Sequence, residues 1–226
     1  KHGGNTFLRF GGVQYRTYVF INGSYIGYHD GGSTPFNFNI SEYLKSENRI
    51  VIVVENNRRK DRVPMHNADW FNYGGIYRDV ELIRVPSTYI TNFAIALVPD
   101  GTYSRIHSTI STSGHASSAY LEIPELEIKK EVRIEKGHGE ITLDAEPELW
   151  SPESPKLYSV IISCEHDTVQ DYIGFRQIWC RGNRLELNGK PLFLRGVSLH
   201  EESVENGRAV SEAEIRENIR LAKELN

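Results

Sequence analysis

At 226 residues, with 39% hydrophobic and 25% charged side chains, the chain has the composition of one or two globular domains and is long enough to bury real cores. A formal net charge of −4 excludes the broad basic footprint of a nucleic-acid-binding domain, and no apolar run reaches the length of a membrane span. Two cysteines, Cys164 and Cys180, are too few for a disulfide framework and lack metal-finger spacing, so the compartment, cytoplasmic or periplasmic, stays open.

The chain begins at Lys1-His2-Gly3-Gly4 without a Met and enters a strand-like pattern almost at once, so part of the first domain is expected to precede it. Val13, Tyr15, Thr17, Val19 and Ile21 alternate with Gln14, Arg16, Tyr18 and Phe20, the period of a strand. Asn22-Gly23 tolerates positive φ at both positions and predicts a type I′ hairpin turn into a return strand over 24–28. Phe36–Ile40 is another alternating strand, and Ser41–Leu44 a short helical turn. Ile50-Val51-Ile52-Val53-Val54 is expected as a buried, central strand, from its length and β-branching. Residues 56–75 form a long loop, and loops of this length inside a domain are usually functional. It carries His66, Asp69, Trp70, Phe71, Asn72 and Tyr73, and reads equally as a loop projecting into a ligand site or as an aromatic-packed Ω-loop. Its basic run, Arg58-Arg59-Lys60 and Arg62, is expected to be solvated. A strand over 77–85 closes the domain at Pro86.

Seven strand patterns follow, over 89–98, 103–111, 119–123, 125–134, 140–144, 157–165 and 168–175. Short strands at such regular spacing predict an immunoglobulin-like sandwich, although the Cys…Trp…Cys spacing of antibody domains is missing. Trp150-Ser151-Pro152-Glu153-Ser154-Pro155 is a rigid connection, because proline fixes φ and withholds a donor. Next, 184–187, the turn Asn188-Gly189-Lys190-Pro191 and 192–194 make a hairpin whose second strand is expected to run on through Arg195-Gly196-Val197. A polar stretch with His200-Glu201-Glu202 leads to Ser211-Glu212-Ala213-Glu214, a capping box. Ile215, Ile219, Ala222 and Leu225 then follow at helical spacing up to Asn226. Strand, loop and helix open an α/β unit that cannot bury itself alone.

Four segments resemble glycoside hydrolase family 2, the β-galactosidase and β-glucuronidase family. They are Val19–Gly23 with Gly27, Asp30-Gly31-Gly32 and Pro35-Phe36; Asp69–Val80; Trp150–Pro152 with Pro155 and Leu157-Tyr158; and Leu187–Pro191 with Arg195-Gly196-Val197 and His200-Glu201. They stand in the family's order over nearly the whole chain. The resemblance implies a mainly β protein: a jelly-roll sugar-binding-like domain at 1–86 with its N-terminal part missing, an immunoglobulin-like sandwich at 87–178, and at 179–226 the first strand and helix of a truncated (β/α)₈ barrel. It also implies a retaining exo-β-glycosidase, most readily a β-galactosidase, with β-glucuronidase and then β-mannosidase as the other readings. Such enzymes use two carboxylates ~5–5.5 Å apart on barrel strands. A barrel needs about 250 residues, and only about 50 follow Trp179. No Asn-Glu pair follows an aliphatic strand, since Glu217-Asn218 is in the reverse order. Both catalytic glutamates are therefore expected outside this sequence, and the 226 residues alone are expected to be inactive.

Three substrate-binding residues follow from the resemblance. His200 matches a family His that lies against the sugar, where an imidazole can donate to a hydroxyl; the alternative is an ordinary loop His. Asp69 matches an Asp that reaches the barrel mouth and accepts from hydroxyls; the alternative is an N-cap or turn Asp. Glu201 either pairs with a nearby Arg or supports the site. The remaining histidines read as surface or loop residues, and no metal or other cofactor is expected. The implied partner is a carbohydrate substrate, with no nucleic acid and no membrane; a homo-oligomer is implied by analogy only. The competing reading is a non-catalytic carbohydrate-binding or structural β module.

Overall fold

The computed structural model describes residues 4–225; His2 and the last residue of the expected helix lie outside the described residues. Two compact units form. One comprises Asn5–Arg84 together with residues 196–225, the other Gly4 with Val85–Arg195.

The first unit is built on β1 (Gly4–Phe10), β2 (Val13–Gln14), β3 (Arg16–Ile21), β4 (Ser24–Asp30), β5 (Phe36–Asn39), β6 (Ile50–Glu55), β7 (Gly75–Ile76) and β8 (Val80–Pro86). They form sheets of order β5-β1-β8 and β4-β3-β6 and a short β2-β7 ladder. Period-two alternation turns Thr17, Val19 and Ile21 inward, where Val19 and Ile21 join Leu8, Phe10, Val13 and Ile40 in one apolar core. Asn22 (φ +52°) and Gly23 (φ +85°) make the expected turn between β3 and β4.

Two readings of this unit need correction. The alternation over 13–21 is two strands, because the chain changes partners at Tyr15: β2 pairs with β7, and β3 with β4 and β6. The Ile50–Glu55 run is an edge strand, paired in its sheet with β3, and Ile50, Val51 and Val53 are exposed. A β-branched run reports fit to a pleated strand, and burial depends on what packs against its faces.

In the same unit, α1 (Glu212–Glu224) starts at the expected capping box. Ser211 Oγ accepts from Glu214 N at 3.3 Å, and Glu214 Oε2 accepts from Ser211 N at 2.7 Å. Its apolar stripe of Ile215, Ile219 and Leu225 is exposed.

The second unit holds β9 (Ile90–Leu97), β10 (Arg105–Thr112), β11 (Ser118–Ile123), β12 (Ile128–Arg133), β13 (His138–Asp144), β14 (Tyr158–Cys164) and β15 (Asp167–Ile173). Sheets of order β13-β10-β9 and β12-β11-β14-β15 enclose Ile106, Ile110, Leu121, Ile123, Val132, Val160, Ile162 and Phe175, an immunoglobulin-like sandwich. The expected strand over 125–134 begins later. Pro124–Leu126 is a 3₁₀ turn ended by Glu127 at φ +55°, and β12 starts at Ile128. Proline suits the first position of a helical turn, where its missing N–H is no loss.

After the sandwich come β16 (Ile178–Arg181), β17 (Arg184–Leu187) and β18 (Lys190–Leu192), a three-stranded antiparallel sheet. The extension of its last strand through Val197 is not formed. Pairing stops at Leu192, and Phe193, Leu194 and Val197 are exposed. A parallel barrel strand needs ladder partners, and among the described residues this segment has none.

Candidate functional site

The long loop of the first unit, residues 56–74, is braced at its neck by an amide pair. Asn72 Nδ2 donates to Asn56 O at 2.7 Å, and Asn56 Nδ2 donates to Asn72 O at 3.3 Å. Its basic run is not simply solvated, which corrects the sequence reading. Arg58 donates to the carbonyls of Ala68, at 2.9 Å, and Trp70. Arg59 pairs with Glu55, and Arg62 is 4% exposed, donating to Glu55 Oε1 at 3.0 Å with its guanidinium 5.2 Å from the centre of the Tyr15 ring. Planar guanidinium groups suit this because one group can bond carbonyls and carboxylates and still stack on a ring. Arg58 and Arg62 hold the loop from within, while Arg59, Lys60, Trp70 and Phe71 are exposed.

Opposite the aromatics runs the segment 198–208. Ser203 and Gly207 exchange backbone hydrogen bonds of 2.8 and 3.0 Å, which closes a tight loop. Gly207 has φ +56°, and a Cβ there would lie 2.8 Å from Tyr73 Cε1, so the position requires glycine twice over. Arg208 fastens the segment. It donates to Ser33 Oγ at 2.8 Å and to Gln14 Oε1 at 3.3 Å, and lies 4.6 Å from the Tyr77 ring centre. Tyr77 in turn donates to the Gly32 carbonyl.

Between loop and segment lies a cavity of about 780 Å³, lined by Trp70, Phe71 and Tyr73, by His200, Glu201 and Glu202, by Gln14, Arg78 and Arg208, and by residues 31–34 among others. The Trp70 ring meets His200 edge-on, 5.8 Å between centres and 81° between planes. Arg78 donates to Glu201 at 3.1 Å. Glu202 lies 3.7 Å from His200 Nδ1 and faces the Tyr73 hydroxyl. Partial burial and that carboxylate push the Tyr73 phenol above its usual range.

Of the three residues singled out from sequence, His200 and Glu201 line this cavity, and Glu201 has its arginine partner in Arg78. Asp69 stands exposed one residue before Trp70 and outside the lining. Glu202, Tyr73, Gln14 and Arg208 were not singled out as site residues. Tyr73 lay inside a loop already suspect for its length, and Glu202 beside His200. The contacts of Arg208 with Gln14 and Ser33 span 194 and 175 residues and leave no local signal.

Apolar ring faces beside fixed donors and acceptors suit a ligand with alternating C–H and O–H surfaces. The class defined by this fold and site is a modular, mainly β protein with an aromatic-walled polar cavity completed by a segment that leads into a helix. Residues 2–86 match the family model described as the sugar binding domain of glycosyl hydrolases family 2, residues 91–176 that of glycosyl hydrolases family 2, and residues 178–226 that of its TIM barrel domain. The chain belongs to glycosyl hydrolase family 2. It is 29% identical to the β-galactosidase large subunit of Leuconostoc lactis over 99% of its own length and 38% of that relative. It is 31% identical to the β-galactosidase of Pseudoalteromonas haloplanktis, over 96% of this chain and 23% of that relative. A solved β-glucuronidase from an uncultured Clostridium sp. is 27% identical with a TM-score of 0.84, covering 98% of this chain and 40% of that one. The chain thus spans well under half the length of these relatives.

Proposed function

We propose that the chain is the N-terminal portion of a retaining exo-β-glycosidase that removes terminal β-linked sugars, with β-galactosides as its substrates. In this reading residues 1–86 are the jelly-roll sugar-binding-like domain, 87–178 the sandwich and 179–226 the opening of the catalytic barrel. The observation that carries it is the cavity of the first unit, where His200 and Glu201 from the barrel opening face Trp70 and Tyr73 from the jelly-roll loop. His200 donates to a sugar hydroxyl as charge develops in the transition state, Glu201 supports the site through Arg78, and Asp69 accepts hydroxyls at the rim. The two carboxylates of a retaining mechanism, ~5–5.5 Å apart, come from later barrel strands.

The β-galactoside reading is supported by curated relatives named β-galactosidase that align with 96–99% of this chain. The Clostridium structure, named a β-glucuronidase, favours β-glucuronides as the second reading. The exposed stripe of α1 weighs against a self-contained, non-catalytic module. Expression of the complete reading frame and assay on nitrophenyl β-galactoside and β-glucuronide tests the assignment. The expected result is a galactoside preference of about 100-fold or more in kcat/KM, since a site that must hydrogen-bond or reject a carboxylate discriminates strongly. The reverse preference would replace it with the glucuronide reading. The 226 residues alone should release no nitrophenol.

A further inference from the structure

We propose that Glu202 is the positioning residue of His200, fixing which imidazole nitrogen faces the ligand; this rests on the assignment of His200 to the sugar site. The two adjacent carboxylates have different surroundings. Glu201 is 63% exposed and is paired with Arg78 at 3.1 Å. Glu202 is 29% exposed, 3.7 Å from His200 Nδ1, and among the described residues no Arg or Lys pairs with it. The Tyr73 hydroxyl of the long loop faces the Glu202 carboxylate, while Glu202 N donates to His200 O at 2.9 Å and holds the two residues in one turn. Trp70 meets the imidazole edge-on, 5.8 Å between ring centres.

A carboxylate facing Nδ1 favours the tautomer that carries its proton there and stabilises the imidazolium when it forms. Nε2 then faces a hydroxyl in the cavity, accepting from it while the ring is neutral and donating to it once the ring is protonated. The distance of 3.7 Å exceeds a hydrogen bond, and such contacts commonly tighten when ligand binds.

The test uses the complete enzyme with Glu202→Gln, Glu202→Asp, His200→Ala and the double variant His200→Ala/Glu202→Gln. Glu202→Gln should lower kcat about tenfold with little change in KM, the size expected for removing a carboxylate that orients a working His. Glu202→Asp should recover part of that loss. The double variant should be no slower than His200→Ala, because the carboxylate acts through the ring. In ¹⁵N-histidine-labelled enzyme, the His200 signal should carry the Nδ1–H signature in the wild type and lose it in Glu202→Gln, a change that a merely structural role would not produce. Losses that multiply in the double variant, or an unchanged tautomer in Glu202→Gln, overturn the proposal while leaving His200 in the site. Full activity of His200→Ala overturns the site assignment itself and the proposal with it.

Discussion

Glu214 shows how one side chain can start an element. Its carboxylate accepts from Ser211 N and Oγ and from Asn206, and these bonds hold its pKa down to about 2, against an ordinary 4.5. A carboxyl depressed in the folded state contributes stability in full above its unfolded value and loses it as pH falls through its folded value. The first turn of α1 should therefore keep its amide protection at neutral pH and lose it between about 4.5 and about 2, followed by NMR. Ser211→Ala should weaken the same turn already at neutral pH, by about 1 kcal/mol. Arg62 makes a second residue-scale prediction. One of its nitrogens bonds Glu55, while Nη2 is buried without a partner. Arg62→Ala should lower stability by about 2 kcal/mol in urea unfolding through the lost charge-assisted bond. Arg62→Met, which keeps the packing on Tyr15 and removes the orphaned donor, should cost less. The sequence displayed the capping box openly, because cap and partner are three residues apart. It concealed the burial of Arg62, because a run of cations looks the same whether its partners are water or carbonyls.

At the scale of elements, alternation was the readable quantity. Each of the seven expected strands of the sandwich has a counterpart, and the Asn22-Gly23 turn forms where its φ requirements placed it. Alternation did not say which strand lies at an edge, as β6 shows, nor that Arg195–Val197 would find no ladder partner. Both depend on neighbours remote in sequence. The segment 198–208 is likewise held by remote neighbours, through Arg208 to Ser33, Gln14 and Tyr77. Arg208→Ala should raise amide exchange across residues 198–208 about tenfold or more while leaving the jelly-roll strands unchanged, the effect of losing charge-assisted bonds in one local opening unit. Equal acceleration in β1 and β3 would mean that Arg208 supports the whole unit and not the segment.

For the molecule as a whole, domain order was legible because each part carries its own periodicity and a few motifs, now matched by three models of one family. The lining of the candidate site was half legible. His200 and Glu201 follow a recognisable segment, whereas the wall they face is assembled by contacts that span more than a hundred residues, such as Arg78 with Glu201. The account depends on that wall and His200 enclosing one sugar. A crystal structure of the complete enzyme with a bound galactose-derived inhibitor tests it most directly. The account predicts the sugar within hydrogen-bond distance of His200 Nε2, with Trp70 or Tyr73 against its ring. An inhibitor bound elsewhere, with His200 and the loop 56–74 both out of reach, would contradict it.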